Sequence, residues 1–171
     1  IVMQVMSLTF SVGDGLSIAT SSLVGQSLGA KRTDLAYIHG KVSQRIGFVI
    51  SLSLAVAIIM NRYFIISLFS RNREIIELGG SILIILSFII QFQIAQVITV
   101  GSLRGAGDVK FVATLSLVSV TILRPVLTYI LAYTLGFGLY GAWFSVVFDQ
   151  MIRYVFSRVR FKNAEWIKIE V

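Results

Sequence analysis

The first apolar stretch of this sequence carries its polar residues in a regular row. Gln4, Ser7, Ser11, Asp14, Ser17 and Ser21 are spaced 3, 4, 3, 3 and 4 apart, so at about 100° per residue they share one arc of about 140° on a helix. Val5, Met6, Val12, Leu16 and Leu23 lie mostly outside that arc. Such a row has two uses. Small hydroxyls let neighbouring helices approach and bond across the contact, and they also line water-filled paths. The serines fit both. Asp14 fits the second better: a carboxylate near mid-membrane is a candidate proton or cation site, and the flanking Gly13 and Gly15 allow a bend or an opened backbone carbonyl. A hydrogen bond from Asp14 to a neighbouring helix is the alternative. Gln93, Gln96 and Thr99 form a weaker row, three apart, with Gln91 off its face. Amides there line a substrate path or bridge helices.

Two further ionisable residues, Arg124 and Asp149, also fall inside long apolar stretches. A central Arg costs about 2.5–3.5 kcal/mol to insert, so it needs a partner or water. At about 1.5 Å per residue, Arg124 lies about 22 Å from the start of its helix and Asp149 about 14 Å from the opposite side. Their depths differ by about 6 Å in a core about 30 Å thick, within side-chain reach. Arg153 follows Asp149 by one turn, at i+4. A structural ion-pair cluster of Arg124, Asp149 and Arg153 is expected rather than a transport role. Other chemistry is poorly supplied. Cysteine is absent and His39 is the single histidine, which removes thiol chemistry, disulfides and Cys/His metal sites. Without paired carboxylates a membrane enzyme is disfavoured as well.

The elements that position these residues follow from composition. The chain has 171 residues, 56% hydrophobic and 13% charged, about half the charge of a soluble domain. A span needs about 20 apolar residues, so the length holds about five or six. Continuous apolar runs predict five helices, near 1–28, 42–60, 78–100, 111–134 and 140–156. They are too long and too uniform for barrel strands, which alternate over about ten residues. The hinges are short and polar. Gly29 is expected as the left-handed residue closing the first helix, and Thr33 or Asp34 as the cap of the second. Tyr63 to Phe69 reads as an interfacial connector, Asn72 as the cap of the third helix, and Asp108 as the cap of the fourth. The first run is already apolar at Ile1, with no initiator Met or basic region before it. It is therefore read as a span of a longer protein and not as a signal peptide.

The net charge of +7 points first to nucleic acid, but five spans redistribute it. Lys31, Arg32, Lys41, Arg45, Arg104, Lys110, Arg153, Arg158, Arg160, Lys162 and Lys168 fall on one side, against Arg62, Arg71 and Arg73 on the other. The positive-inside rule puts the C-terminus in the cytoplasm and Ile1 outside. No nucleic-acid role remains to be explained, and the basic tail at 161–171 reads as an anchor to anionic headgroups.

Gly25 and Gly29, and Gly101 and Gly105, form two GxxxG pairs that favour close helix approach. Each precedes a basic residue and an Asp, which hints at an internal repeat. The surrounding residues carry a resemblance. Ser22 to Ala30, SLVGQSLGA with Gly25, Gln26 and Gly29, resembles the LVGQxxGA motif of the multidrug and toxic compound extrusion (MATE) family. Gly101 to Asp108, GSLRGAGD with Arg104, Gly105 and Gly107, resembles the glycine-rich hairpin of that family's second half. Arg124-Pro125, Asp149, Arg153, Arg160-Phe161 and Trp166 resemble its last two helices and tail.

The resemblance implies an all-α polytopic membrane fold. MATE transporters have twelve helices in two six-helix lobes and export organic, often cationic, compounds in exchange for Na⁺ or H⁺. The motif order places residues 1–160 at helices eight to twelve, most of the C-terminal lobe. The expected partners are then the bilayer, the N-terminal lobe and cationic small molecules, with no cofactor besides the coupling ion. Family topology also runs helix eight from outside to inside. There is one departure. The NorM-like branch carries an acidic coupling residue about eight positions before the glycine that aligns with Gly101, and this chain has Gln93 there. A DinF-like branch keeps its key carboxylate on the first helix of the other lobe. Two other readings stand beside the antiporter: an exporter of lipid-linked or polysaccharide cargo, and a truncated product inactive alone.

Overall fold

Apolar runs of this length form helices because a lipid-exposed backbone must satisfy its own hydrogen bonds. The computed structural model describes residues 2–163 and Trp166, and among these it contains no strand. Five long helices account for the fold: α1 (Val2–Gly29), α2 (Thr33–Ser67), α3 (Arg73–Gly105), α4 (Val109–Thr134) and α5 (Gly138–Lys162). The first four are 28, 35, 33 and 26 residues long, and each is long and apolar enough to cross a membrane. At 25 residues α5 also has the length, but Asp149, Arg153, Arg158, Arg160 and Lys162 lower its hydropathy.

Helix α3 is the central column. Its Leu83, Leu86, Ile89, Ile90, Ile94 and Ile98 are fully buried, and α1, α2 and α5 pack around it. Helix α1 runs parallel to α3, with Gly13 against Ile94 and Ser17 against Gly101. Helix α2 runs antiparallel, with Gly47 against Ile98 and Gly79 against Ile66. Helix α4 is peripheral: Val112 and Ser119 are its buried residues. Large side chains such as Leu8, Ile18, Val49, Met60, Phe88, Leu117 and Ile122 point outward. In water that surface would be a liability, and in a bilayer it is the solvent-facing surface.

Several boundaries differ from the sequence expectation. Helix α2 continues through the Tyr63–Phe69 connector as far as Ser67, because Tyr63 and Ile66 pack onto Gly80 and Gly79 of α3. Helix α5 likewise runs to Lys162, into the expected tail. Ile1, Ala164, Glu165 and the end of that tail, with Lys168, lie outside the described residues. The backbone at Gly13 and Gly15, where an opened carbonyl or a bend was allowed, stays within one helix assigned from Val2 to Gly29. Gly13 serves close approach instead: a Cβ there would sit 3.4 Å from the Ile94 side chain.

The turns after α1 and α3 share one geometry. The Lys31 amide donates to the Leu28 carbonyl at 2.8 Å and the Arg32 amide to the Ser27 carbonyl at 2.9 Å. The Gly107 amide donates to Arg104 at 3.0 Å and the Asp108 amide to Leu103 at 2.9 Å. Both are Schellman closures. Their left-handed residues are Lys31, φ 59°, and Gly107, φ 83°, so Gly29 is the last helical residue and not the left-handed one. Neither Thr33 nor Asp34 caps α2: Arg32 takes that position without a side-chain cap. Asp34 instead accepts from Arg32 at 3.1 Å, which holds its carboxyl below the ordinary range. Asn72 caps α3 as expected, accepting from the Glu74 amide at 2.9 Å.

Candidate functional site

Small residues decide how α1 meets α3. A Cβ on Gly101 would lie 2.5 Å from the Ser17 carbonyl oxygen, and one on Gly105 would collide with the Ser21 carbonyl. Gly25 returns the contact, its Cβ position 3.3 Å from the Gly105 oxygen. Backbones this close let the buried Ser17 hydroxyl donate to the Val97 carbonyl at 2.9 Å. Gly25, Gly101 and Gly105 therefore lie in one seam with hydroxyls as its glue, whereas Gly29 faces open space.

That seam edits the polar row. Ser17 and Ser21 point at α3, and they wall a cavity of about 340 Å³ with Asp14, Ile18, Ser22, Gly101 and Arg104. Gln4, Ser7 and Ser11 are exposed further along α1, and Ser11 donates back to the Ser7 carbonyl at 3.1 Å. They are no part of the cavity wall. Asp14 is half-buried, and among the described residues it makes no hydrogen bond or ion pair. Arg104, from the last turn of α3, brings a positive charge to the other end of the same wall. A carboxylate on this cavity wall offers a counter-charge to a cation, and the guanidinium on the same wall competes with that cation for it. Arg104 carried no such role in the sequence reading. Its position one turn after Gly101, on the face turned to α1, is the signal that was available.

The amide row lies deeper. Gln93, Gln96 and Thr99 are all buried, and the Gln93 Oε1 atom has no hydrogen-bond partner. These residues do not line the Asp14 cavity. Gln91, off the row, accepts from Ser51 of α2 at 2.9 Å. It is the amide that bridges helices.

The second constellation joins α4 to α5. Pro125 has no N–H to donate, so the helix before it widens: residues Ser119–Leu123 form a π turn, and the Arg124 amide bonds back to the Ser119 carbonyl. In a regular α-helix residues five apart diverge by about 140°. The wider turn places Ser119 and Arg124 on one face, and both reach Asp149. Arg124 donates to Asp149 Oδ2 at 2.6 Å and Ser119 donates to Oδ1. Arg153 adds a contact at 3.3 Å and donates to Gln150 at 3.1 Å. One turn along, Thr128 and Ser145 share a hydrogen bond of 2.7 Å. Asp149 is completely buried and has three partners. The expected Arg124–Asp149–Arg153 cluster is therefore present, with Ser119 and the π turn as parts that were not foreseen.

The residues resembling the family hairpin and tail also meet. Asp108 sits at the start of α4 but makes no cap hydrogen bond. Its carboxylate accepts from Arg160 at 2.7 Å instead, an ion pair that outcompetes the local amide. Phe161 stacks between Tyr37 and Trp166, with centroids 5.5 and 5.4 Å away. Trp166 donates to the Phe161 carbonyl at 2.9 Å. The turn after α3, the start of α2 and the end of α5 are thereby fastened together.

The chain is similar to proteins named as transporters. The chain is 30% identical over 159 residues to an uncharacterized transporter, YisQ, of Bacillus subtilis (strain 168), covering 91% of this chain and 34% of that protein. It is 28% identical to the multidrug resistance protein NorM of Aliivibrio fischeri, covering 82% of this chain and 32% of NorM. The crystal structure of the eukaryotic MATE transporter AtDTX14 superposes with a TM-score of 0.87 at 20% identity, over 98% of this chain and 37% of that one. The chain thus spans about a third of the length of these relatives. The family model for MatE matches residues 1–130. On that match, the chain belongs to the MatE family, a family of membrane transporters and not of enzymes.

Proposed function

We propose that this chain forms helices eight to twelve of a multidrug efflux antiporter in the cell membrane, driven by Na⁺ or H⁺ and working by alternating access. The remaining lobe, carried by a longer protein or a partner chain, would complete a central cavity, and the two lobes would rock around it. Substrates would be small organic cations. The observation that carries this reading is Asp14, a half-buried carboxylate on the wall of a polar cavity and without a partner among the described residues. Family membership supplies the class of activity, and the cavity supplies a place for a cation within it. Gln93 and Gln96 would serve the same lobe from deeper in the bundle, where an amide offers a dipole but no exchangeable charge.

The reading is tested by reconstituting the full-length transporter in liposomes and following ethidium under an imposed Na⁺ or pH gradient. Uptake driven by one of the gradients is expected, and ethidium movement indifferent to both would overturn it. Orientation is a separate part of the proposal, with the N-terminal end of α1 outside and the C-terminal end of α5 cytoplasmic. Because the chain lacks cysteine, single cysteines replacing Ser70 and Asn163 can be labelled cleanly. Outside labelling of the first and inside labelling of the second is expected. Labelling of both from one side would refute the five-span topology.

A further inference from the structure

We infer that the groove between α2 and α5 binds one anionic phospholipid, its headgroup held by Lys41, Arg158 and Lys162 and an acyl chain laid along α2 from Phe48 to Ile59. Two adjoining cavities make the groove. One of about 290 Å³ lies where α2 starts and α5 finishes, lined by Tyr37, Lys41, Gln44, Arg158, Phe161 and Lys162. The other, about 450 Å³, is apolar, with Phe48, Leu52, Val56 and Ile59 of α2 facing Phe88 and Phe92 of α3. Tyr154 walls the apolar cavity, and its hydroxyl accepts from Arg158 of the basic one at 2.5 Å. On α2 the lining residues 37, 41, 44, 48, 52, 55 and 59 step by three or four, with 56 beside 55, which is one continuous helix face.

The basic end offers donors and lacks an acceptor of negative charge. Among the described residues no carboxylate lines it, and none of its three cations is in an ion pair. Lys41 lies 5.0 Å from the Tyr37 ring and Arg158 5.6 Å from the Tyr154 ring, so aromatic faces hold both near the cavity. Gln44 sits 3.5 Å from Arg158 through its Oε1 atom and keeps a buried Nε2 with no partner among the described residues. A phosphodiester supplies the missing acceptors.

Distances along α2 agree with a lipid. From Lys41 to Phe48 is about 10 Å and from Phe48 to Ile59 about 16 Å, the latter close to half of a core about 30 Å thick. The cations therefore stand at headgroup level and the apolar cavity runs the depth of one leaflet. General attraction of basic residues to a charged surface needs neither cavity. This inference requires the chain to sit in a bilayer and does not depend on Asp14 or on the coupling ion.

The test is native mass spectrometry of the purified full-length transporter with added phosphatidylglycerol or phosphatidylcholine. The wild type should retain one phosphatidylglycerol in preference to phosphatidylcholine. Combining Lys41→Gln, Arg158→Gln and Lys162→Gln should lower that retention about tenfold or more, and Leu52→Trp, which fills the apolar cavity without touching charge, should lower it too. Arg71→Gln with Arg73→Gln, at the opposite end of the helices, should leave it unchanged. Equal retention of the two lipids by the wild type would overturn the site. So would undiminished retention in the triple variant, or an equal loss in the Arg71/Arg73 control, which would mean surface attraction only.

Discussion

Two carboxylates lie deep within the apolar helices, and they are treated in opposite ways. Asp149 is fully buried and bound by Arg124, Arg153 and Ser119. Asp14 is half-buried on a cavity wall, and among the described residues it has no partner at all. An ion held by three groups is fixed in place, because releasing it leaves guanidinium charges uncompensated in a low-dielectric interior. An ion with no protein partner is available to something that comes and goes. The contrast separates a fixed ion from an unpartnered one: Asp149 links α4 to α5, and the α1–α3 seam presents Asp14 to a cavity.

Mutation should sharpen that division, with effects on stability falling in order. Asp149→Leu strands two arginines and should destabilise the lobe by about 3–5 kcal/mol, read as loss of expression and of thermal stability in detergent. Adding Arg124→Leu restores the original net charge of the cluster, so the double variant should recover much of that loss. A double variant as poor as the worse single would show that the two are not paired. Gly105→Val pushes a side chain against the Ser21 carbonyl and should cost about 1–3 kcal/mol, with Arg104 displaced from the cavity wall. Asn72→Ala removes the α3 cap and should cost about 1 kcal/mol. Asp14→Asn should change stability by less than about 0.5 kcal/mol, since no contact is lost. A marked fall in thermal stability for Asp14→Asn would erase the comparison.

Much of this arrangement was legible in the residues. Helix depth alone pairs Arg124 with Asp149, and Asn72 stands as the cap of α3. The glycine pairs announce a close seam. The rest depended on tertiary partners. Asp108 reads as a cap until Arg160, 52 positions away, claims its carboxylate. Gly13 and Gly15 allow a bend or an opened carbonyl, yet Ile94 makes Gly13 a packing residue within a continuous helix. Gly29 reads as the left-handed residue, but the Schellman bonds put that conformation on Lys31. Ser119 joins the ion cluster through a π turn. A proline alone does not announce the register of such a turn. The division of the serine row is the subtlest case, because helical periodicity puts residues on one face without saying what that face meets. Ser17 meets α3 and a cavity, while Ser7 and Ser11 meet neither.

The most direct measurement compares Asp14→Asn with wild type in the full-length transporter, at matched expression, for gradient-driven efflux of an organic cation. A carboxylate that works predicts a loss of ion-dependent efflux of about tenfold or more with unchanged thermal stability. Efflux and ion dependence equal to wild type would contradict the account and return Asp14 to a packing role.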